Sequence, residues 1–170
     1  MRVIAVAAVT ADGRIGRHPL DPPTWTSRED KRMFAAVSRQ AGVVVMGRAT
    51  FEAMPKPLEG RLNVVLTAHP AAFAPVPGRV EYTADPPAAI LDGLARRGYA
   101  EVIVGGGASV YRQFFAAGLV DELWLTVEPL LFGAGISLLG DEPAEVRLRL
   151  IEHSALAPST IQLKYAVERS

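Results

Sequence analysis

Apolar residues in this chain occur in short β-branched runs that alternate with stretches of helical spacing. The runs predict strands over residues 3–9, 43–46, 62–67, 102–104, 123–127 and 161–167. The stretches between them predict helices over residues 28–40, 49–54, 87–97 and 109–117. Several strands are apolar on both faces, which is typical of central strands covered on both sides. The alternation predicts an α/β fold with a mainly parallel central sheet and helices on both faces.

The pattern changes after residue 122, where strand-like segments follow one another without a convincing helix between them. We therefore expect an antiparallel edge at the C-terminal end of the sheet. The stretch 69–78, which contains three prolines, is typical of a surface loop. A length of 170 residues with 49% apolar content suits one hydrophobic core, so residues 1–170 are predicted to form a single domain.

Composition narrows the classes of function. Basic and acidic residues balance at 18 each, which argues against nucleic acid as a partner. The chain has no cysteine, and its three histidines are scattered, so neither a disulfide framework nor a metal cluster is expected. No apolar run approaches the length of a membrane span, and the apolar N-terminus is interpreted as a buried strand. We expect a cytoplasmic protein that binds neither metal nor membrane.

Three glycines, Gly105, Gly106 and Gly107, lie between a predicted strand and a predicted helix. Glycines let a phosphate approach the backbone, and a helix N-terminus offers free N–H groups to an anion. The Lys and Ser/Thr of a P-loop are absent, and Val110 occupies the place of the last glycine in G-x-G-x-x-G. The segment is either a pyrophosphate site or a tight turn without a ligand.

A second junction of strand and helix contains Gly47, Arg48, Ala49 and Thr50. Here Arg48 can contact a cofactor phosphate, and Thr50 can donate to it from the first helical turn. The alternative is that Arg48 is a solvated surface charge and Thr50 a helix cap.

Asp30 lies at the start of the first predicted helix. Thr26 and Glu29 have the spacing of a capping box, which predicts where that helix begins. One face of the helix then carries Asp30, Met33, Phe34 and Val37. An acidic side chain at the end of an apolar stripe either stabilises the helix N-terminus or faces a pocket where a ligand satisfies it.

Four further residues are candidates for the site, and three of them have two interpretations each. Trp25 is a core or a pocket-wall aromatic, and Arg61 follows a loop, where a surface charge is the common case. The hydroxyl of Thr126 interrupts an apolar strand and needs a partner, either the backbone or, through water, Asp30. Thr67 ends a strand and can meet an adenosine 2′-phosphate or belong to a surface loop.

Several pieces of the sequence follow one another in a fixed order. They are Ile15-Gly16, Trp25 with Asp30 and Phe34, residues 46–52, residues 57–67 and Val104-Gly105-Gly106-Gly107. In this order and spacing they resemble the dihydrofolate reductase superfamily over nearly the whole chain. The resemblance implies a dihydrofolate reductase-like three-layer fold, NADPH as cofactor and a small heterocycle as substrate.

The resemblance also implies the positions of the site residues. The cofactor would contact Ala8, Ile15, Gly47, Arg48, Ala49, Thr50, Thr67, Val104, Gly105, Gly106, Gly107, Ala108, Ser109, Val110 and Tyr111. The pyrophosphate would lie near residues 106–110, and the 2′-phosphate near Arg48 and Thr67. The substrate would contact Trp25, Asp30, Phe34, Arg61 and Thr126, with Asp30 as the catalytic residue that orients the substrate and assists proton delivery.

Two branches of the superfamily compete. Residues 10–15, 25–30 and 118–139 resemble the reductase domain of the riboflavin-biosynthesis deaminase-reductase, whereas Asp30, Phe34 and Gly60-Arg61 resemble dihydrofolate reductase, in which the arginine takes the glutamate carboxylate of folate. The family's Leu-Pro before the tryptophan is Pro23-Thr24 here, and the preceding loop is longer.

Three functions follow from these resemblances. The first is a riboflavin-type reductase acting on a 5-amino-6-(ribosylamino)uracil or a related pyrimidine or pterin. The second is a dihydrofolate reductase, and the third is an NADPH-binding protein with little turnover. Because riboflavin-type reductases commonly pair and the apolar stretch 123–139 exceeds what one edge strand needs, we expect a homodimer.

Overall fold

A computed structural model of the chain describes residues 1–141 and 145–168. The helices in these ranges are α1 (Arg28–Ala41), α2 (Arg48–Glu52), α3 (Pro87–Arg96) and α4 (Ala108–Ala116). The strands are β1 (Arg2–Thr10), β2 (Arg14–Gly16), β3 (Val43–Gly47), β4 (Leu62–Leu66), β5 (Val80–Thr83), β6 (Glu101–Val104), β7 (Glu122–Glu128), β8 (Ile136–Ser137), β9 (Leu148–Ala157) and β10 (Thr160–Val167). Short 3₁₀ turns cover Pro23–Trp25 and Pro70–Ala72.

The main sheet has eight strands in the order β5-β4-β3-β6-β1-β7-β10-β9. Every neighbouring pair from β5 to β7 is parallel, while β10 pairs antiparallel with both β7 and β9. The predicted parallel sheet with an antiparallel C-terminal edge is confirmed. Strands β2 and β8 form a separate pair beside it.

Side chains of the central strands alternate between two apolar layers. Val43 and Val45 point into a cluster with residues of α3 and α4, such as Leu94 and Phe114. The intervening Val44 belongs to the opposite layer, which contains Met33, Phe34 and Val37 of α1 together with Ile4, Val6, Met46 and Ile103. Because both faces of the sheet are covered, the strands are apolar throughout, and the predicted three-layer arrangement is confirmed.

The start of α1 differs from the predicted capping box. Ser27 is the N-cap, and its Oγ accepts a hydrogen bond of 3.1 Å from the N–H of Asp30. The hydroxyl of Thr26 instead donates to the carbonyl oxygen of Pro23 at 3.2 Å. The capping box of Thr26 and Glu29 is therefore wrong, because the preceding turn engages the threonine.

Strand β5 was absent from the predicted elements. It has four residues, follows a proline-rich loop and pairs with one strand, β4, while its first residue, Val80, forms an isolated bridge with Val76. Within the ranges that the structure describes, no helix is long and apolar enough to cross a membrane. Those same ranges contain no cluster of three or more His, Cys, Asp or Glu side chains suited to a metal ion.

Candidate functional site

A cavity of about 920 Å³ opens at the carboxyl ends of β3, β4, β5 and β6. This volume lies within the range of small-molecule sites. The carboxyl edge of a parallel sheet is also the usual place for a ligand, since helix N-termini and loops meet there. Most residues predicted for the site line this cavity. They are Ala8, Ile15, Trp25, Asp30, Phe34, Gly47, Arg48, Ala49, Thr50, Thr67, Gly105, Gly107, Ala108, Ser109, Val110 and Tyr111.

The two glycine-containing turns are bonded to each other at the cavity. The N–H of Gly47 donates to the carbonyl oxygen of Gly106 at 2.7 Å, and the N–H of Gly105 donates to Val45 at 2.8 Å. A Cβ on Gly47 would lie 3.2 Å from the Val110 side chain, and one on Gly107 would lie 3.2 Å from the Thr50 hydroxyl. Side chains at these glycines would crowd the space between the turns.

Gly106 has a backbone conformation that favours glycine. Its φ is +92°, and a Cβ there would lie 2.7 Å from the Tyr111 ring. The Tyr111 hydroxyl donates to the carbonyl oxygen of Val6 at 2.6 Å, which fixes the ring beneath the turn. The turn therefore leads into α4 with the helix N-terminus at the cavity wall, an arrangement suited to an anion.

Arg48 lies on the cavity wall and is half exposed. Its guanidinium pairs with the carboxylate of Glu52, one turn along α2, at 2.7 Å. An exposed pair of this kind contributes little stability, so Arg48 can turn towards another anion at small cost. Thr67, at the end of β4, lines the same part of the cavity wall with Thr83 and Asp85 of the β5 region.

Asp30 is the buried acidic group of the cavity, with 8% of its surface exposed. Burial raises the pKa of its carboxyl above the ordinary range, because the charged form loses water. The Thr126 hydroxyl opposes this shift, and the nearby charge of Glu128 adds to it. The carboxyl group therefore keeps its proton to a higher pH than an exposed aspartate does.

Aromatic side chains line the same cavity as this carboxyl group. Phe34 packs against the glycine turn, with its ring 3.4 Å from the position of a Cβ on Gly105. Trp25 contacts the Phe132 ring edge-on, with ring centroids 5.3 Å apart. Trp25 and Phe34 thus supply an apolar part of the cavity wall that also contains Asp30.

Two loops beside the cavity are joined by Asp12. Its carboxylate accepts hydrogen bonds from the Thr10 hydroxyl at 2.5 Å and from the N–H groups of Phe132 and Gly133 at 3.1 and 2.7 Å. The Thr10 hydroxyl and these N–H groups lower the pKa of Asp12 to about 2. The loop after β1 and the loop after β7 are thus tied together near Ile15 and Trp25.

Some predicted site residues lie outside the cavity lining. Arg61 is 7% exposed, donates to the Glu59 carbonyl oxygen at 3.1 Å and contacts the Ser38 hydroxyl. The structure does not bring it to the cavity, and the alternative of a surface charge is wrong as well. Val104 is buried in the core of the sheet, and Gly106 lies behind the lining.

Thr126 is also fully buried outside the cavity lining, and its Oγ1 has no hydrogen-bond partner of good geometry, although it is near enough to lower the pKa of Asp30. The structure therefore does not bring Thr126 to the cavity lining, where the predicted contact with a substrate would be made.

Sequence reasoning missed part of the wall. His18, Pro19 and Asp21 of the long loop line the cavity, as do Thr83, Ala84 and Asp85. Thr83, Ala84 and Asp85 lie at the carboxyl end of β5, and ligands of parallel sheets bind at that edge. They could therefore have been found if β5 had been recognised. Nothing in the local sequence indicates that His18, Pro19 and Asp21 line the cavity, because their position depends on how the loop folds back.

Comparisons with known proteins agree with this architecture. Dihydrofolate reductase type 9 of Escherichia coli is 34% identical over 126 residues, which cover 71% of this chain and 67% of that protein. Dihydrofolate reductase HdrB of Haloferax volcanii is 36% identical over 126 residues, which cover 71% of this chain and 63% of that relative, less than two thirds of its length.

Two solved structures share the fold. RibD of Acinetobacter baumannii superimposes with a TM-score of 0.81 at 18% identity over 99% of this chain, which spans 58% of that chain. Dihydrofolate reductase of Enterococcus faecalis, complexed with NADP(H), superimposes with a TM-score of 0.76 at 22% identity, covering 99% and 97% of the two chains. At these identities the likeness concerns the fold alone. The sequence profile of dihydrofolate reductase, however, matches residues 2–128, and the chain belongs to the dihydrofolate reductase family.

Proposed function

We propose that this protein is an NADPH-dependent reductase that transfers hydride to a small nitrogen heterocycle. The observation that carries the proposal is Asp30, a buried carboxyl group with a raised pKa in a cavity walled by two glycine turns. The substrate we put first is a 5-amino-6-(ribosylamino)uracil-type riboflavin precursor, or a related pyrimidine or pterin. The second is 7,8-dihydrofolate.

The residues at the turns fit a dinucleotide cofactor. The N-terminus of α4 and the backbone of Gly107 and Ala108 suit a pyrophosphate, since glycine leaves the backbone accessible and the helix dipole favours an anion. Arg48 and Thr67 offer a guanidinium and a hydroxyl for a 2′-phosphate. When bound, NADPH would supply the hydride.

Asp30 has two roles in the proposed reaction. Its carboxyl group can hold the amino and ring N–H groups of a heterocycle, which orients the ring for hydride transfer. Because its pKa is raised, it can also keep a proton available as the hydride arrives. In a dihydropterin the hydride would add to the carbon of the ring imine and the proton to its nitrogen. In a ribosylaminopyrimidine the hydride would add to the sugar carbon of the open-chain imine and the proton to the attached nitrogen. Trp25 and Phe34 supply the apolar walls against which a flat ring packs.

Different observations support the two substrates. Arg61 does not reach the cavity, so the side chain that would take the glutamate carboxylate of folate is not in place. This supports a substrate without that carboxylate. The curated relatives, in contrast, bear the name dihydrofolate reductase, which supports dihydrofolate as the second candidate.

A hydride-transfer assay compares the candidates. The purified protein is given NADPH with either 5-amino-6-(ribosylamino)uracil 5′-phosphate or 7,8-dihydrofolate, and loss of NADPH absorbance is followed. We expect faster turnover of the pyrimidine, and faster turnover of dihydrofolate would establish the second candidate instead. Turnover of neither compound, together with tight NADPH binding, would contradict both and favour an NADPH-binding protein with little turnover.

A further inference from the structure

Glu128 is a buried carboxylate that the proposed reaction does not use directly. It ends β7 with 2% of its surface exposed. One carboxylate oxygen accepts the N–H of Ser27 at 2.7 Å, and the other accepts the hydroxyl of Thr160 at 3.0 Å. Both oxygens are thus engaged by groups from other elements, and the carboxylate has a fixed position.

These hydrogen bonds lead to the catalytic carboxyl group. Ser27 is the N-cap of α1, and its Oγ accepts the N–H of Asp30 at 3.1 Å. Glu128 therefore fixes the residue that begins the helix, and Ser27 in turn fixes the backbone of Asp30. A chain of hydrogen bonds runs from β10 through β7 to the first turn of α1.

We propose that Glu128 is a positioning residue for the reductase reaction: through Ser27 it holds the start of α1, and with it Asp30. The buried negative charge of Glu128 also acts on Asp30. The part concerning the reaction rests on the proposed function. The part concerning Asp30 stands on the hydrogen bonds that join Glu128 to Ser27 and Ser27 to the N–H of Asp30.

The charged and polar groups around Asp30 come from several elements. Glu128 of β7 raises its pKa, while the Thr126 hydroxyl of the same strand lowers it. From the start of α1, the Thr26 hydroxyl and the Lys31 ammonium also lower it, and the Lys31 Nζ is held by the Thr26 carbonyl oxygen at 2.9 Å.

From α4, Tyr111 faces Asp30 with a neutral phenol, whose own pKa is raised by burial and by the Asp30 charge. Among these groups, Glu128 is the acidic neighbour whose removal would stabilise the ionised form of Asp30.

The Glu128→Gln variant removes the charge and keeps the shape. Its amide oxygen can still accept the N–H of Ser27, and its NH₂ group can donate to the Thr160 oxygen. We expect the pKa of Asp30 to fall by about half a unit or more, because the unfavourable charge is gone. The measurement is a carbon NMR titration of the Asp30 carboxyl group, assigned by its absence in Asp30→Asn.

A matched control is Glu122→Gln, which removes a carboxylate from the other end of β7. Six residues separate the two positions, or about 20 Å along a strand. The pKa of Asp30 should stay unchanged in this control. Glu128→Met is a second variant without the charge, and its apolar side chain has a similar length. It serves for the same titration if Glu128→Gln does not fold.

The outcomes distinguish an effect of Glu128 on the protonation of Asp30 from a purely structural role of Glu128. A lower unfolding temperature in Glu128→Gln, with the pKa of Asp30 within about 0.2 units of the wild type, would overturn the proposal. In turnover, the pH at which kcat declines should fall with the pKa. Absence of turnover with every substrate would contradict the proposed function but not the NMR result, so the two failures are distinguishable.

Discussion

At the scale of single residues, the burial of Asp30 determines what chemistry the cavity can support. An exposed aspartate is ionised near neutral pH and cannot deliver a proton, whereas burial favours the neutral form. Burial also excludes the water that would otherwise compete for the substrate's N–H groups. The same side chain can thus orient a heterocycle and supply a proton.

The first prediction concerns Asp30→Asn. We expect kcat to fall more than about tenfold, because the amide cannot supply the proton, while NADPH binds as before. In the wild type, kcat should decline as pH rises through the raised pKa of Asp30, and this decline should be absent from the variant. Steady-state kinetics across pH measure both effects.

A control for this variant is Asp92→Asn, an exposed carboxyl group on α3. It should leave kcat and its pH profile unchanged. A loss of less than about tenfold in Asp30→Asn would show that the role assigned to Asp30 is wrong.

The second prediction concerns Arg48 and the 2′-phosphate. NADPH should raise the unfolding temperature more than NADH does, and Arg48→Ala should remove that difference. Arg48 can exchange its ion pair with Glu52 for a contact with the 2′-phosphate at little cost, because the Arg48–Glu52 pair is half exposed. Thermal shift with each dinucleotide is the measurement.

Arg96→Ala, which removes a basic residue at the end of α3 and outside the cavity, is the control. It should preserve the preference for NADPH. Equal stabilisation of the wild type by NADH and NADPH would contradict the proposed contacts of Arg48 and Thr67.

At the scale of elements, the site depends on turns that follow β3 and β6. These strands are neighbours in the sheet, so the two turns reach the same edge and bond directly to each other. The cavity wall is consequently assembled before any ligand arrives, which avoids an ordering cost on binding.

The third prediction compares two glycines with nearly the same φ. Gly106 has φ +92° and Gly98 has φ +88°, but a Cβ would meet the Tyr111 ring only at Gly106 and has open space at Gly98. Gly106→Ala should weaken NADPH binding more than tenfold, since Tyr111 must move from the cavity wall. Isothermal titration measures the affinity.

Gly98→Ala should cost about 1 kcal/mol of stability from backbone strain and leave NADPH affinity unchanged. Equal effects of both substitutions on affinity would show that the position of Tyr111 beneath the turn is unimportant for the cofactor.

The fourth prediction concerns Asp12, which joins two loops. Its pKa is lowered from 3.8 to about 2, so its contribution to stability is present above the unfolded value and is lost as pH falls towards 2. Asp12→Asn should therefore be less stable than the wild type at about pH 6, with a smaller gap at about pH 3. Denaturant unfolding at both pH values measures the gap, and a gap that does not change with pH would contradict the role of the charge.

At the scale of the whole molecule, β9 leaves one edge of the main sheet uncovered in the part of the chain described. It carries the exposed side chains of Leu148, Leu150 and Ile151. An exposed apolar edge strand is a common surface for association between copies. We expect the homodimer predicted from the sequence to form through this surface.

The fifth prediction tests this association. Leu150 is 47% exposed, so Leu150→Lys should be tolerated by the fold while it disfavours an apolar interface. Light scattering should give a dimer mass for the wild type and a monomer mass for the variant. Val76→Lys, at an exposed apolar residue of the loop 69–78, should remain dimeric, and a monomeric wild type would contradict the expectation.

The layers and most strands were predictable from sequence because burial on both faces leaves continuous apolar runs. Val43 to Met46 is such a run, and all four residues are buried. Strand β5 escaped prediction because its four residues gain their strand character from pairing with β4. Periodicity within a short window contains no information about such a partner.

The walls of the site were predictable where motif and element coincide, as at Gly47 and Gly107. Residues that the sequence misplaced or missed are held in position by partners distant in the chain. Arg61 bonds to Ser38, which is 23 residues away, and Glu128 bonds to Ser27, which is 101 residues away. A local pattern indicates that such a side chain is polar, but only the fold determines which partner it meets.

The hydrogen bond from Thr160 to Glu128 crosses the end of the family match at residue 128. Both glycine turns lie inside the matched segment, while β10, which holds Glu128 from the other side, lies outside it. A hybrid that exchanged everything after residue 128 with a relative would inherit the turns and receive a new neighbour for the buried acid. Divergence of the last strands can thus change the surroundings of Glu128 while both glycine turns are kept.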